Sequence, residues 1–349
     1  MNKAVWKKTR KDAERFLALV VFLFLTPLSH ATELPEFYRG VRAQAMGGTA
    51  VSVADDNDAV FYNPAGLAYQ KDLQFHIFNP KTDGSNDLRL FYDPLVLLDP
   101  KKKVDTSGLS LATSQKYFDK NIYFNGTVFP SILFPNFTIG YLYSLNVYAN
   151  AQNLALPSIR LRYLLDKGVV SGFGFETRGI KKLHYMRWGL GVKYISRTGY
   201  DGTIPVTRLA TADMAYIKSL RAGPASGFGF TFGIQYELTL DRRNSIILGS
   251  AWQDIGDVQF GGRLTQGTPP PIYNNLAAGG SFVHKFNISP KAKNNIRLTG
   301  EMRHLMQSGI DPRLKMHFGT ELQVGWFAFQ MGLNQTSITG GLNIDFLSM

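Results

Sequence analysis

From Phe137 to the C-terminus, apolar residues fall on every second position, in runs longer than most globular sheets use. Phe137, Ile139, Tyr141, Tyr143, Leu145 and Val147 share one face of FTIGYLYSLNVYAN. In GFGFTFGIQYEL, Phe228, Phe230, Phe232, Ile234, Tyr236 and Leu238 alternate with Gly227, Gly229, Thr231, Gly233, Gln235 and Glu237. Further on, Ile296, Leu298 and Met302 stand against Arg297, Thr299, Glu301 and Arg303, and Met316, Phe318 and Leu322 against His317, Glu321 and Gln323. A period of two sends successive side chains to opposite faces of a strand, so the body of the chain is an antiparallel sheet with unlike faces. Globular strands average about 5–6 residues, whereas a tilted strand crossing a bilayer takes about 9–11. Aromatics near the run ends (Tyr141, Tyr148, Trp188, Tyr194, Trp252 and Trp326) suit interfacial girdles. The fold expected is all-β: a transmembrane antiparallel β-barrel. A soluble periplasmic sandwich also has an apolar inner face, but strand length favours the barrel.

The N-terminus agrees. Lys3, Lys7, Lys8, Arg10, Lys11 and Arg15 precede the uncharged run Phe16 to Leu28, and Ser29-His30-Ala31 offers small residues for a peptidase. That is the layout of a secretory signal peptide over 1–31. The run is shorter than the ~20 residues of a spanning helix, and Pro27 interrupts it. The chain has no cysteine, which excludes a disulfide framework and thiolate metal sites. The net charge of +12 is dispersed over turns such as Lys101-Lys102-Lys103, Lys181-Lys182 and Arg242-Arg243. Such clusters suit anionic lipid headgroups. No basic helical stripe or binding motif points to nucleic acid.

Strand-like runs number about fourteen, an even count as single-chain bacterial barrels have. They include 72–79, 86–97, 122–134, 137–149, 156–166 and 169–178. Two segments break the pattern and are expected as helices, 107–120 and 206–222, the second with Leu209, Ala212, Tyr216 and Leu220 at helical spacing.

Ahead of the first strand lies MGGTAVSVADDNDAVFYNPAGLAYQ, Met46 to Gln70. It is too irregular for a strand and too rich in Gly and Pro for an ordinary helix. A wide barrel leaves a lumen, and irregular backbone at membrane depth is tolerated only within protein or water. The segment is therefore expected to plug the lumen. Gly47 and Gly48 allow a turn at positive φ or a close approach to the wall. Asp55 and Asp56 are placed to cap backbone N–H groups or to pair with lumen arginines. Pro64 holds Asn63 out of the helical region, and the Asn63 amide can close a turn.

GVRAQAMGGTAVSVADDNDAVFYNPAGLA resembles the N-terminal signature of the FadL-like outer-membrane superfamily. Its elements here are Met46-Gly47-Gly48, Ala54-Asp55-Asp56 and Asn63-Pro64-Ala65-Gly66-Leu67. Weaker likeness to the PorV and TraF-like branches lies in Ser250 to Gly256 and in His317 to Glu321. The resemblance implies a barrel of fourteen strands with an N-terminal hatch, whose Asn-Pro-Ala part lies in the lumen. The domains are then a signal peptide 1–31, a hatch 32–70 and a barrel 71–349. Hatch or gating residues are Gly47, Gly48, Asp55, Asp56, Asn63, Pro64, Ala65 and Gly66.

No His-Glu-x-x-His, Gly-x-Ser-x-Gly or phosphate loop occurs, so no catalytic residue, metal site or cofactor is assigned. The function expected is passive uptake of hydrophobic small molecules, such as long-chain fatty acids, across the bacterial outer membrane. The alternative is a PorV- or TraF-like partner in secretion or envelope assembly. Expected partners are outer-membrane lipids, a hydrophobic ligand, the barrel-assembly machinery and, on the alternative reading, a secretion system. The chain ends Phe346-Leu347-Ser348-Met349, where barrel assembly signals commonly finish on the aromatic itself.

Overall fold

The computed structural model describes residues 36–85, 121–152, 158–178, 184–205, 207–208, 220, 222–261, 268–286, 294–335 and 337–344. Fourteen strands form one antiparallel sheet. They are β1 (Gln74–His76), β2 (Pro80–Gly84), β3 (Asn121–Val128), β4 (Ser131–Phe134), β5 (Phe137–Gln152), β6 (Ser158–Arg178) and β7 (His184–Pro205), then β8 (Ala222–Thr239), β9 (Asn244–Gln253), β10 (Asn275–Lys285), β11 (Asn294–Met302), β12 (Met316–Val324), β13 (Phe327–Asn334) and β14 (Ser337–Ile344). From β4 onward each strand pairs with the next in sequence, while β1 pairs with β4, β2 with β3, and β3 with β5. No helix among the described residues is long and apolar enough to cross a membrane.

The sheet is inside out relative to a globular protein. On β8, Phe228 is 62% exposed and Phe230 52%, whereas Thr231 and Gln235, on the alternate positions of the same strand, are buried. On β12, Phe318 and Leu322 are exposed, and His317 and Glu321 are buried. Apolar side chains outward and charged ones inward fit lipid outside and a filled polar lumen within. Replacing Phe232 by Arg is expected to cost about 2–4 kcal/mol, the range for a cation at midplane depth on the lipid face. Phe232→Leu is the control. Equal midpoints for the two in a urea refolding titration into vesicles would contradict the outward assignment.

Three expectations change. The break expected between the runs 156–166 and 169–178 does not exist, because β6 runs unbroken from Ser158 to Arg178 for 21 residues. Asp166 is buried and forms a bidentate pair with Arg197 on β7, at 2.7 and 2.8 Å. What resembles a polar turn is an inward-facing ion pair. The single run expected over 122–134 is two strands, since Pro130 carries no N–H for the ladder. A strand at Pro80–Gly84 was not expected at all. The strand expected over 86–97 and the helix over 107–120 lie outside the described residues, as does most of 206–222, whose last residue, Ala222, begins β8.

Candidate functional site

Residues 36–70 lie against the inner face of this sheet. Two short helices, α1 (Val41–Ala45) and α2 (Ala59–Tyr62), and a 3-10 turn over Pro64–Tyr69 are joined by irregular backbone. The segment touches strands around the whole sheet. Asn57 donates to Ser131 on β4 at 2.8 Å and accepts from Thr138 on β5 at 3.1 Å. Ser52 meets Ser281 on β10 at 2.6 Å. Arg42 forms a two-point pair with Glu321 on β12, both bonds 2.8 Å.

Asn63 sits at the middle of this packing, fully buried. Its Oδ1 accepts from the Ala65 N–H at 3.1 Å, capping the 3-10 turn that Pro64 starts. Its Nδ2 donates to the carbonyl of Val51 at 2.8 Å and to that of Ile234 on β8 at 3.1 Å. One amide thus closes a turn and ties two parts of the segment to the wall. Ala65 is fully buried beside it, and Gly66 passes so near Ala54 that a Cβ would lie 2.0 Å from the Ala54 carbonyl oxygen.

The wall meets this backbone with glycine. A Cβ on Gly189 of β7 would lie 2.1 Å from the Ala65 nitrogen, and one on Gly332 of β13 would lie 2.1 Å from the Gly47 nitrogen. Gly47 and Gly48 have φ of +69° and +83°, the left-handed region that glycine enters without a Cβ penalty.

The charges divide the expected residues. Asp55 pairs with Arg42 at 2.5 Å and with Arg297 on β11 at 3.2 Å, so it does reach a wall arginine. Withdrawal from water raises its pKa, but the two guanidinium groups outweigh this and hold it at about 2. Asp56 stays within the segment, 3.5 Å from Arg42 and accepting from the Asp58 N–H at 3.0 Å. Asp58 instead reaches the wall, through Lys81 on β2 at 2.5 Å.

Several contributors were not singled out from sequence. Glu301 on β11 has a fully buried side chain, and its Oε2 accepts from the N–H groups of Ala50 and Val51 at 2.7 and 2.8 Å. Its Oε1 accepts from Arg303, which also pairs with Glu36. Gln235 donates to Val51 and Ala54 carbonyls. All stand on the inward positions of their strands' alternation or directly beyond the strand end. That was the available signal, though it does not say which partner each finds.

Two environments result. One is a polar cavity of about 100 Å³ among Asp55, Tyr69, Glu237, Lys285 and Arg297. The other is an apolar cluster holding Phe37, Tyr38, Phe61, Phe129, Leu67 and Ile195. Tyr38 stacks on Phe61 at 3.7 Å, and Phe61 meets Phe129 edge-on at 4.8 Å. No group of side chains among the described residues has the make-up of a metal site.

No protein-family model matches the sequence, and no curated protein matches it. Among solved structures, the CymD monoaromatic hydrocarbon channel is similar at 10% identity and TM-score 0.38, covering 88% of each chain. The toluene transporter TodX of Pseudomonas putida is similar at 10% identity and TM-score 0.39, covering 86% of this chain and 92% of that one. The chain folds as a fourteen-stranded antiparallel barrel wall around residues 36–70.

Proposed function

We propose that the protein is a bacterial outer-membrane channel for passive uptake of hydrophobic small molecules, with residues 36–70 as its gate. The observation that carries this reading is the aromatic cluster of Phe37, Tyr38, Phe61 and Phe129 between the segment and the wall. Phe129 immediately precedes Pro130, where the run of β3 and β4 is interrupted. The cluster is packed shut in this structure, and parting the segment from the wall would expose an aromatic surface of the kind from which sites for apolar molecules are built. Long-chain fatty acids are the first ligand class to test, and monoaromatic hydrocarbons the second. The protein acts by admitting its ligand and performs no chemistry on it.

The test compares wild type, a deletion of 47–67 and Asn63→Ala. Single-channel conductance in planar bilayers should rise on deletion, with folding checked by the heat-dependent shift in gel mobility. Cells carrying Asn63→Ala should take up a fluorescent fatty acid at an altered rate. Unchanged conductance in a folded deletion variant ends the gating role. The second reading, a partner in secretion or envelope assembly, draws support from how firmly Asn63 and Glu301 anchor the segment. Wild-type cells that take up neither ligand class would move the assignment there.

A further inference from the structure

Among the described residues, four aromatic rings of the N-terminal segment each rest on a cation of the wall. The Arg187 guanidinium of β7 lies 3.8 Å from the centre of the Tyr69 ring, and the Lys193 amine of the same strand lies 4.0 Å from that of Phe37. Lys81 on β2 covers Tyr38 at 4.8 Å, and Arg303, next after β11, covers Tyr62 at 5.3 Å. A cation within about 6 Å of a ring centre is attracted to its π face, more strongly once both have left water. Three of these rings are tyrosines, whose hydroxyls add bonds of their own. Tyr38 donates to Asp58 at 2.6 Å, Tyr69 donates to Glu237 at 3.2 Å, and Tyr62 accepts from the Gly40 N–H at 2.7 Å. The Phe37 side chain has no polar atom, so its place is defined by ring shape and π face alone.

We propose that the place filled by Phe37 is a ring-binding site: the segment's own phenyl group stands in for an aromatic hydrocarbon, and Lys193 is the residue that selects it. Lys193 is buried, and its amine is held by both oxygens of Asp254, at 2.6 and 2.8 Å. That pair fixes the amine, and the Phe37 ring is the apolar group set against it. Phe37 itself is only half-buried and packs at the margin of the cluster that holds Phe61 and Ile195, so it can leave without undoing the cluster. When the segment withdraws, a buried ammonium loses its ring. An aromatic molecule restores the contact, whereas a saturated one of equal size leaves the ammonium short of both water and a π face. The inference rests on the uptake reading and chooses between its two ligand classes.

The test is binding to the purified full-length protein in detergent micelles. Phe37→Ala empties the place. Benzene and cyclohexane, which share a carbon count and differ in the π face, are supplied as vapour at the same fraction of saturation. The unfolding midpoint is read from the heat-dependent shift in gel mobility. Wild type, whose place is filled, reports what each hydrocarbon does through the micelle alone. Benzene should raise the midpoint of Phe37→Ala by several degrees more than that of wild type, and cyclohexane should raise it by clearly less than benzene. Adding Lys193→Met with Asp254→Asn, which removes both charges of the pair, should abolish the difference between the two hydrocarbons. If Phe37→Ala does not fold, Phe37→Val, a smaller cut, takes its place. Equal benzene shifts in wild type and the emptied variant overturn the proposal, and so does a benzene preference that survives the loss of Lys193. Uptake by cells is a separate readout: a protein that binds benzene as expected yet takes up neither ligand class keeps the ring site and loses the channel role.

Discussion

Glu301→Ala is expected to destabilise the folded protein by about 3–5 kcal/mol, the cost of removing one partner of a buried charge pair. The residue faces the lumen with its side chain fully buried. It neutralises Arg303, itself only 2% exposed, through a bond of 2.7 Å, and it satisfies the N–H groups of Ala50 and Val51. Truncation therefore leaves a buried guanidinium with one carboxylate fewer and two backbone donors with no acceptor. Glu301→Gln keeps the shape and an acceptor oxygen but gives up the charge, so it should fall between alanine and wild type. Equilibrium unfolding in detergent micelles by urea gives the ordering. Stability of the alanine variant equal to that of wild type would show that the lumen admits enough water to replace the carboxylate.

The second large effect is expected from a single methyl group. Gly189→Ala places a carbon 2.1 Å from the Ala65 nitrogen and 2.1 Å from the Pro64 carbonyl carbon. Both are backbone atoms, so no side chain can swing aside. Either β7 bends outward or the segment leaves the wall, at a cost of about 3 kcal/mol, the upper end of the usual overpacking range. Gly191 is the internal control: it lies two residues along the same strand on the same face, and its added Cβ would meet nothing nearer than 3.4 Å. Gly191→Ala should cost less than about 1 kcal/mol, as a tolerated small change does. Protease cleavage within residues 36–70, followed over time in vesicles, separates the two outcomes. Rapid cleavage in Gly189→Ala and slow cleavage in Gly191→Ala are expected; identical rates would contradict close backbone packing at Gly189.

The wall was legible because its signal is local. Alternation over Phe228 to Leu238 needs no knowledge of any other strand, and burial follows it residue by residue from Phe228 to Gln235. Where a polar residue belongs to a strand only through a distant partner, local reading breaks down. Asp166 resembles part of a turn until Arg197 is beside it. The site was legible in part for the same reason. Asn63 before Pro64 announces a capped turn by its own chemistry, and the cap is local. Its bonds to Val51 and to β8 are not, and neither is the role of Glu301, which is one inward carboxylate among several until Ala50 and Val51 are seen to point at it. The Asp55-Asp56 pair shows the limit. The two are adjacent in sequence and alike in chemistry, yet one reaches the wall and the other turns back into its own segment.

The contacts between the segment and the last strands also set an order of events. Arg42 meets Glu321 across 279 residues of chain, and Gly47 meets Thr339 across 292. The segment finds several of its partners only after 279 or more further residues of chain have been made. Contacts so distant in sequence form slowly, because a long stretch of chain must be gathered before they return any energy. Strands β5 to β9 can zip together by neighbouring hairpins while the segment waits. Its docking against β12, β13 and β14 is then the closing step of folding, and an interrupted assembly would be a curled sheet with a loose N-terminal tail.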